Sequence, residues 1–80
     1  MNPVTKWNLT PREEQVMRGI CEHGDAQAVA EKLGVKPVTV VAHTQSIYRK
    51  AGCSDRVLVS LAWDRAHRSV YEILLANLAH

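Results

Sequence analysis

Apolar positions along the chain recur at helical spacing, and residues that start or stop helices separate them. The first apolar stripe, in the segment "LTPREEQVMRGI", comprises Val16, Met17 and Ile20. Just before this stripe, Thr10 is typical of an N-cap, Pro11 of a first helical position, and Glu13 of the third position in a capping box. These signals together predict a helix that begins after Thr10.

Two further helix boundaries follow directly. Gly24 is expected to end the first helix, and Asp25 to cap a shorter second helix that ends at Gly34. A tight turn, "GVKP", then leads to Pro37, which suits the first turn of a third helix because its missing N–H is not needed there. Two short helices joined by such a turn form a helix-turn-helix.

The segment "VTVVAHTQSIYRK", residues 38–50, opens with β-branched residues, which favour strands. Its apolar positions nevertheless recur every three or four residues rather than alternating, which is typical of a helix. The stripe comprises Val40, Thr44, Ile47 and Ala51. Gly52 is expected to end this third helix.

No glycine or proline occurs from Arg56 to the C-terminus, so a single helix of about 25 residues is predicted there. Its apolar seam could fold back on the core of the same chain. The favoured expectation is that it pairs with a second copy of the chain, through Val59, Trp63, Val70, Tyr71, Leu74 and Leu78. The predicted fold class is all-α, a tetrahelical helix-turn-helix bundle with an extended C-terminal helix. Its expected parts are a flexible lead-in at residues 1–8, a helix-turn-helix domain at residues 9–66, and a C-terminal dimerisation extension at residues 67–80.

Composition indicates one domain and a partner with negative charge. The chain has 80 residues and a formal net charge of +2. Residues 35–56 hold four cationic side chains against the single carboxylate of Asp55, and these are Lys36, Arg49, Lys50 and Arg56. The positive charge therefore surrounds the predicted third helix, where it would attract phosphates.

Several classes of function are disfavoured. No apolar run approaches the roughly 20 residues that span a bilayer, and no signal-peptide pattern opens the chain, so we expect a cytoplasmic protein without membrane contact. Cys21 and Cys53, with His23 and His67, match no zinc-finger spacing, so core cysteines and no metal or cofactor are expected. No matched set of catalytic side chains is evident, and the chain is not expected to be an enzyme.

The outward face of the third helix suits the major groove of double-stranded DNA. Gln45 can form two hydrogen bonds with adenine, and small neighbours let the helix backbone approach the bases closely. The residues predicted to read base edges are Val41, Ala42 and Gln45. The residues predicted to contact phosphates are Lys36, Thr39, His43, Arg49 and Lys50, although His43 could equally brace the helices.

Three segments, "LTPREEQVMRGI", "AVAEKLGVKPVTVVAHTQSIYRKAG" and "CSDRVLVSLA", together resemble the LuxR-type (GerE-type) helix-turn-helix domain. The resemblance covers about residues 9–66 and is carried by Leu9, Thr10, Pro11, Arg12, Glu13, Val29, Ala30, Leu33, Gly34, Thr39, Val40, His43, Ile47, Lys50 and Arg56. It implies a four-helix DNA-binding domain that dimerises through its last helix on inverted-repeat sites. The recognition helix would correspond to residues 38–50. Since no receiver or ligand-binding segment precedes the motif, a stand-alone regulator is expected.

The chain departs from the family pattern at its basic positions. Val41 stands where the family usually has lysine, and Gln45 stands where it often has a basic residue. Gln27 and Ala28 replace the lysine and glutamate that commonly open the second helix. With fewer phosphate anchors, DNA binding should depend only modestly on salt.

The sequence thus predicts a sequence-specific transcriptional regulator that binds double-stranded DNA as a homodimer. The alternative is a protein-binding adaptor or anti-activator, which would pair with RNA polymerase or another regulator through the C-terminal helix. A module resembling region four of sigma factors is a related alternative. His43, Arg56 and the long final helix favour the LuxR-type interpretation over it.

Overall fold

A computed structural model describes residues 1–78 of the chain, together with the side-chain surroundings of residues 1–67. A short 3-10 helix at Val4–Lys6 precedes four α-helices. These are α1 (Pro11–His23), α2 (Ala26–Leu33), α3 (Pro37–Ala51) and α4 (Arg56–Leu78). The described residues contain no strand, so the predicted all-α helix-turn-helix class is confirmed.

The N-caps predicted for the first two helices are confirmed by their hydrogen bonds. Thr10 Oγ1 accepts from the Glu13 backbone N–H at 3.2 Å, and the Thr10 backbone N–H donates to Glu13 Oε1 at 2.8 Å. Asp25 Oδ1 accepts from the Gln27 backbone N–H at 2.9 Å. Because first-turn amides lack acceptors inside the helix, these local side chains determine where each helix begins.

The start of α4 depends on Asp55, which the sequence analysis did not identify as a cap. Its Oδ1 accepts from the backbone N–H groups of Val57 at 2.9 Å and Leu58 at 3.2 Å. Arg56, the residue after Asp55, donates from Nη1 to the carbonyl oxygen of Gly24 at 2.6 Å. This bond fixes the start of α4 against the end of α1.

A single apolar core joins the helices. Its buried members are Trp7, Val16, Met17, Ile20, Val29, Ala30, Val40, Ile47, Ala51, Val59 and Trp63. Where α1 crosses α2, a Cβ placed on Gly19 would lie 2.9 Å from Cγ1 of Val29. Any other residue at position 19 would therefore require the Val29 side chain to shift.

The turn between α2 and α3 needs a left-handed residue. Gly34 adopts φ 70° and ψ 34°. This left-handed conformation costs glycine little free energy, whereas a residue with a Cβ would be sterically strained. The next backbone N–H, that of Val35, donates to the carbonyl of Ala30 at 3.0 Å, and the Val35 side chain packs against the core. The turn thereby sets the angle at which α3 leaves α2.

Residues 1–8 differ from the predicted flexible lead-in. Trp7 is 1% exposed and stacks on Trp63 of α4, with ring centroids 6.2 Å apart. Its Nε1 donates to the carbonyl oxygen of Asn2 at 2.8 Å. Asn2 in turn donates from its backbone N–H to Ala51 O at 2.6 Å and from Nδ2 to Lys50 O at 3.0 Å. The segment thus satisfies carbonyls at the end of α3, because a buried indole holds it in place.

The predicted dimer seam requires a correction. Val59 and Trp63 are core residues, since both side chains are buried and Trp63 stacks on Trp7 of the N-terminal segment. The side chains of Val70, Tyr71, Leu74 and Leu78 lie outside the described residues. The large apolar side chains of α4 that face solvent, among those described, are Val57, Leu58 and Leu61.

The cysteines also differ in part from expectation. Cys53 is half-buried and packs against the core, as predicted. Cys21 is instead exposed on α1, with Sγ 3.8 Å from the carbonyl oxygen of Ser60, to which it donates. Across the part of the chain that the structure describes, no helix combines the length and the apolar character needed to cross a membrane.

Because the N-terminal segment is packed through Trp7, we expect Trp7→Ala to have a large effect on stability. Removing a buried indole should lower the free energy of unfolding by about 3–5 kcal/mol, a large fraction of the stability of so small a domain. Urea unfolding followed by circular dichroism measures the change. Lys6→Ala, at an exposed neighbour, is the matched control. If both substitutions lowered the free energy of unfolding by the same small amount, the packing of the N-terminal segment would be contradicted.

Candidate nucleic-acid interface

The buried stripe of α3 determines which of its residues face solvent. Val40, Ile47 and Ala51 are fully buried, so side chains on the opposite side of the helix point outward. These side chains, which we call the outer face of α3, are Val38, Val41, Ala42, Gln45 and Arg49. All five are exposed, and they recur at the three- and four-residue spacing of one helical side. The three residues predicted to read bases therefore lie together, while their role in DNA binding stays a prediction.

Two cations mark the two ends of the outer face. Lys36 lies immediately before α3 and Arg49 lies in its last turn, and both are exposed. The thirteen residue steps from Lys36 to Arg49 correspond to about 20 Å along a helix axis. The Lys36 side chain accepts no hydrogen bond from the first backbone N–H groups of α3, and the first turn of α3 holds no carboxylate. Both cations are thus placed where phosphates beside a groove could reach them.

A neighbouring stripe of α3 is less exposed than the outer face, and part of it contacts α1. It contains Thr39, His43, Ser46 and Lys50, all of them half-buried. Ser46 Oγ donates to Glu13 Oε2 at 2.5 Å, and Lys50 Nζ donates to Glu13 Oε1 at 2.5 Å. Three of the residues predicted to contact phosphates are therefore less exposed than Lys36 and Arg49.

Lys50 is engaged within the fold. Besides its ion pair with Glu13, its Nζ donates to the carbonyl oxygen of Asn8 at 3.4 Å. Since an ammonium group has three donors, two of them point towards the α1 side. The structure thus gives this lysine a bridging position between α3 and the start of α1.

The carboxylate of Glu13 carries an unusually stable negative charge. Its side chain is 5% exposed, and this burial alone would raise its pKa. Hydrogen bonds from Lys50, Ser46 and Thr10 outweigh that effect and lower the pKa of Glu13 from 4.5 to about 2. Glu13 therefore stays ionised near neutral pH and neutralises Lys50 locally.

Sequence reasoning identified Glu13 as part of a capping box and missed its contacts with α3. The partners lie 33 and 37 residues away along the chain. A buried carboxylate needs charged or hydrogen-bonding partners, but a single sequence does not say which residues supply them. The spacing of Ser46 and Lys50, four residues apart on one helix side, was the signal that could have suggested a shared partner.

The described part of the chain shows no metal-binding cluster at this surface. Within residues whose side chains are described, no group of three or more histidine, cysteine, aspartate or glutamate side chains is arranged to hold a metal ion. The outer face of α3 can instead donate hydrogen bonds from Gln45 and Arg49, accept at the Gln45 amide oxygen, and make apolar contacts through its valines.

Comparisons with known proteins agree with this geometry. The family model GerE, described as "Bacterial regulatory proteins, luxR family", matches residues 7–62, which include α1, α2, α3 and the first part of α4. Two proteins named HTH-type transcriptional regulators, from Mycobacterium bovis and Mycobacterium tuberculosis, are each 38% identical to this chain over 56 residues. The match covers 69% of this chain and 6% of each relative. No solved structure matches the chain.

The Glu13 contacts predict a stability difference that depends on pH. Glu13→Gln keeps the shape of the side chain and removes the charge, so it should lower the free energy of unfolding at pH 7 by about 1.5–3 kcal/mol. Because the folded pKa of about 2 lies below the ordinary 4.5, the carboxylate stabilises the fold fully above pH 4.5. That stabilisation is lost as the pH falls towards 2.

Urea unfolding of both proteins between pH 7 and pH 2 measures this difference. The two stabilities should converge towards the acid end of the range. The control is Glu31→Gln, which removes an exposed carboxylate from α2 and should change stability little. A difference between wild type and Glu13→Gln that stays constant with pH would contradict the assigned charge.

Proposed function

The chain belongs to the LuxR family of bacterial regulatory proteins, and we propose from this membership that it binds double-stranded DNA sequence-specifically and regulates transcription. The observation that carries the proposal is the outer face of α3. It is solvent-exposed, and it holds short or hydrogen-bonding side chains between the exposed cations Lys36 and Arg49. This combination suits a surface that must approach base edges while holding two phosphate strands.

In the proposed complex, α3 lies in the major groove. That groove is about 12 Å wide and admits one α-helix. In helix-turn-helix proteins the preceding helix crosses the DNA backbone, a position that α2 would take here. Gln45 lies near the middle of the outer face, where its amide can pair with N6 and N7 of adenine.

Phosphate contacts would come from Lys36 and Arg49, at the two ends of the outer face. Thr39 and His43, on the half-buried stripe, can reach a strand at the edge of the groove. We assign Lys50 chiefly to holding α3 against Glu13, since that ion pair already uses its charge. With so few free cations, affinity should depend on base contacts more than on counterion release.

We also propose that the protein acts as a homodimer whose contact includes α4. Support comes from the exposed apolar side chains Val57, Leu58 and Leu61, which lie on one side of the first two turns of α4. Apolar groups exposed together on a small domain favour association. A two-fold dimer would present two α3 helices to half-sites about 34–36 Å apart.

The DNA-binding proposal predicts two distinct mutant behaviours. Gln45→Ala should cost about 1–3 kcal/mol at one base pair and relax the preference there, because only that base loses its partner. Arg49→Ala should weaken binding to every sequence alike and reduce the slope of log affinity against log salt by about one. Fluorescence anisotropy with a duplex enriched from a random library, and with single-base variants of it, measures both effects.

Matched controls for these substitutions lie on α1. Gln15→Ala and Arg18→Ala change exposed residues of the same types away from the outer face and should leave affinity nearly unchanged. If Gln45→Ala had the same base preferences as wild type, the assigned base contact would be wrong.

The dimer proposal predicts the behaviour of Leu61→Glu. A glutamate in each copy would place like charges and unpaired carboxylates in a shared apolar contact, so the dimer should weaken by at least tenfold. Sedimentation equilibrium across micromolar concentrations measures the change. Val38→Glu, at a similarly exposed apolar residue of α3, should leave the dimer intact. A monomeric wild-type protein throughout this range would contradict the proposal.

A further inference from the structure

The first two turns of the outer face of α3 are apolar without serving the core. Val38 is 69% exposed and Val41 is 43% exposed, and Ala42 beside them is exposed as well. Valine is a weaker helix former than most surface residues because its branched side chain loses freedom in a helix. Two exposed valines therefore contribute little to the stability of α3, and their chemistry calls for a partner.

The charge pattern of α3 indicates the kind of partner. Residues 37–48 contain no lysine, arginine, aspartate or glutamate, whereas Lys36 and Arg49 border this stretch. Both bordering cations are exposed. A duplex offers the complementary arrangement, with phosphates at both edges of a groove whose floor is uncharged. An apolar protein surface would leave the two cations without partners.

The floor of the major groove contains one kind of apolar group. Its other groups are hydrogen-bond donors and acceptors, and the apolar group is the C5-methyl of thymine. A cytosine methylated at C5 carries the same group at the same position. We propose that Val38 and Val41 recognise the C5-methyl groups of pyrimidines, an inference that rests on the DNA-binding function proposed above.

Helix geometry restricts where these methyl groups lie. Side chains three residues apart on a helix have Cβ atoms about 5–6 Å apart, while successive base pairs rise about 3.4 Å. Val38 and Val41 would thus contact methyl groups one or two base steps apart. Gln45, one helical turn beyond Val41, would face an adjoining adenine. The half-site should accordingly be rich in A·T pairs, with closely spaced thymines.

Replacing thymine with uracil tests the proposal, because this removes the methyl group and leaves every hydrogen-bonding group of the base in place. The probe is the duplex that the full chain enriches most from a random library. Uracil is introduced at one thymine position at a time, and affinity is measured by fluorescence anisotropy. We expect two positions within each half-site at which uracil weakens binding about fourfold, the effect of losing one buried methyl contact.

Protein variants assign each methyl group to its valine. In Val41→Ala the effect of uracil should disappear at one position, and in Val38→Ala at the other, since contacting groups are energetically coupled. Val57→Ala is the matched control, because it shortens an exposed valine of α4. It should leave the ratio of thymine to uracil affinity unchanged at both positions, whatever its effect on overall affinity.

A second set of duplexes distinguishes the two sources of the methyl group. Each sensitive thymine is replaced by cytosine and, separately, by 5-methylcytosine. If the valines recognise the methyl group itself, 5-methylcytosine should bind more tightly than cytosine by about the same fourfold factor. Equal binding of the two cytosine duplexes, together with a thymine preference, would restrict the recognised group to thymine.

The negative outcomes separate this inference from the function on which it rests. If the chain enriches no duplex, the DNA-binding function fails. If it enriches a duplex but uracil changes affinity at no position, the function stands and methyl recognition is overturned. If uracil weakens binding equally in wild type, Val38→Ala and Val41→Ala, the methyl groups act through the shape of the DNA, and the assignment to the two valines is overturned.

Discussion

The arrangement of the helices depends on one buried carboxylate. Glu13 closes the capping box at the start of α1 and at the same time accepts hydrogen bonds from Ser46 and Lys50 of α3. A buried carboxylate without partners would strongly destabilise the fold, whereas this one has partners from two helices. The start of α1 and the rotation of α3 about its own axis are consequently coupled. Any rotation of α3 that brought Ser46 or Lys50 to the surface would leave this charge uncompensated.

A second restraint acts at the C-terminal end of α3. Asn2 donates to the last carbonyls of that helix, and Trp7 holds Asn2 in place while stacking on Trp63 of α4. With the side chains of its C-terminal half held by Glu13 and its last carbonyls held by Asn2, α3 has little freedom to roll. This rigidity would suit the proposed function, because a helix that reads base edges must present its side chains within a narrow range of positions. The same contacts connect α3 to α4, the helix that we propose for dimerisation.

Local patterns in the sequence predicted the helices well, because caps and turn glycines act within a few residues of themselves. Thr10, Asp25 and Gly34 each perform the expected role, and the spacing of Val40, Ile47 and Ala51 correctly predicted both the helix and its buried side. Contacts between distant segments were not predictable in this way. Nothing near Trp7 indicates that its partner is Trp63, and nothing near Glu13 indicates Lys50. In α4, apolar residues occur on several sides of the helix, so periodicity could not tell the buried Val59 from the exposed Val57 and Leu61.

The ion pair between Lys50 and Glu13 also changes how the candidate interface should work. A lysine at the end of a DNA-reading helix would ordinarily add a salt-dependent, sequence-independent attraction to phosphates. Here its charge is largely neutralised, which leaves Lys36 and Arg49 as the exposed cations at the two ends of α3. Since the stretch between them is uncharged, the contacts that we propose there would be short-ranged and would depend on the base that they meet. The structure therefore favours an interface in which weak general attraction is combined with strong dependence on sequence.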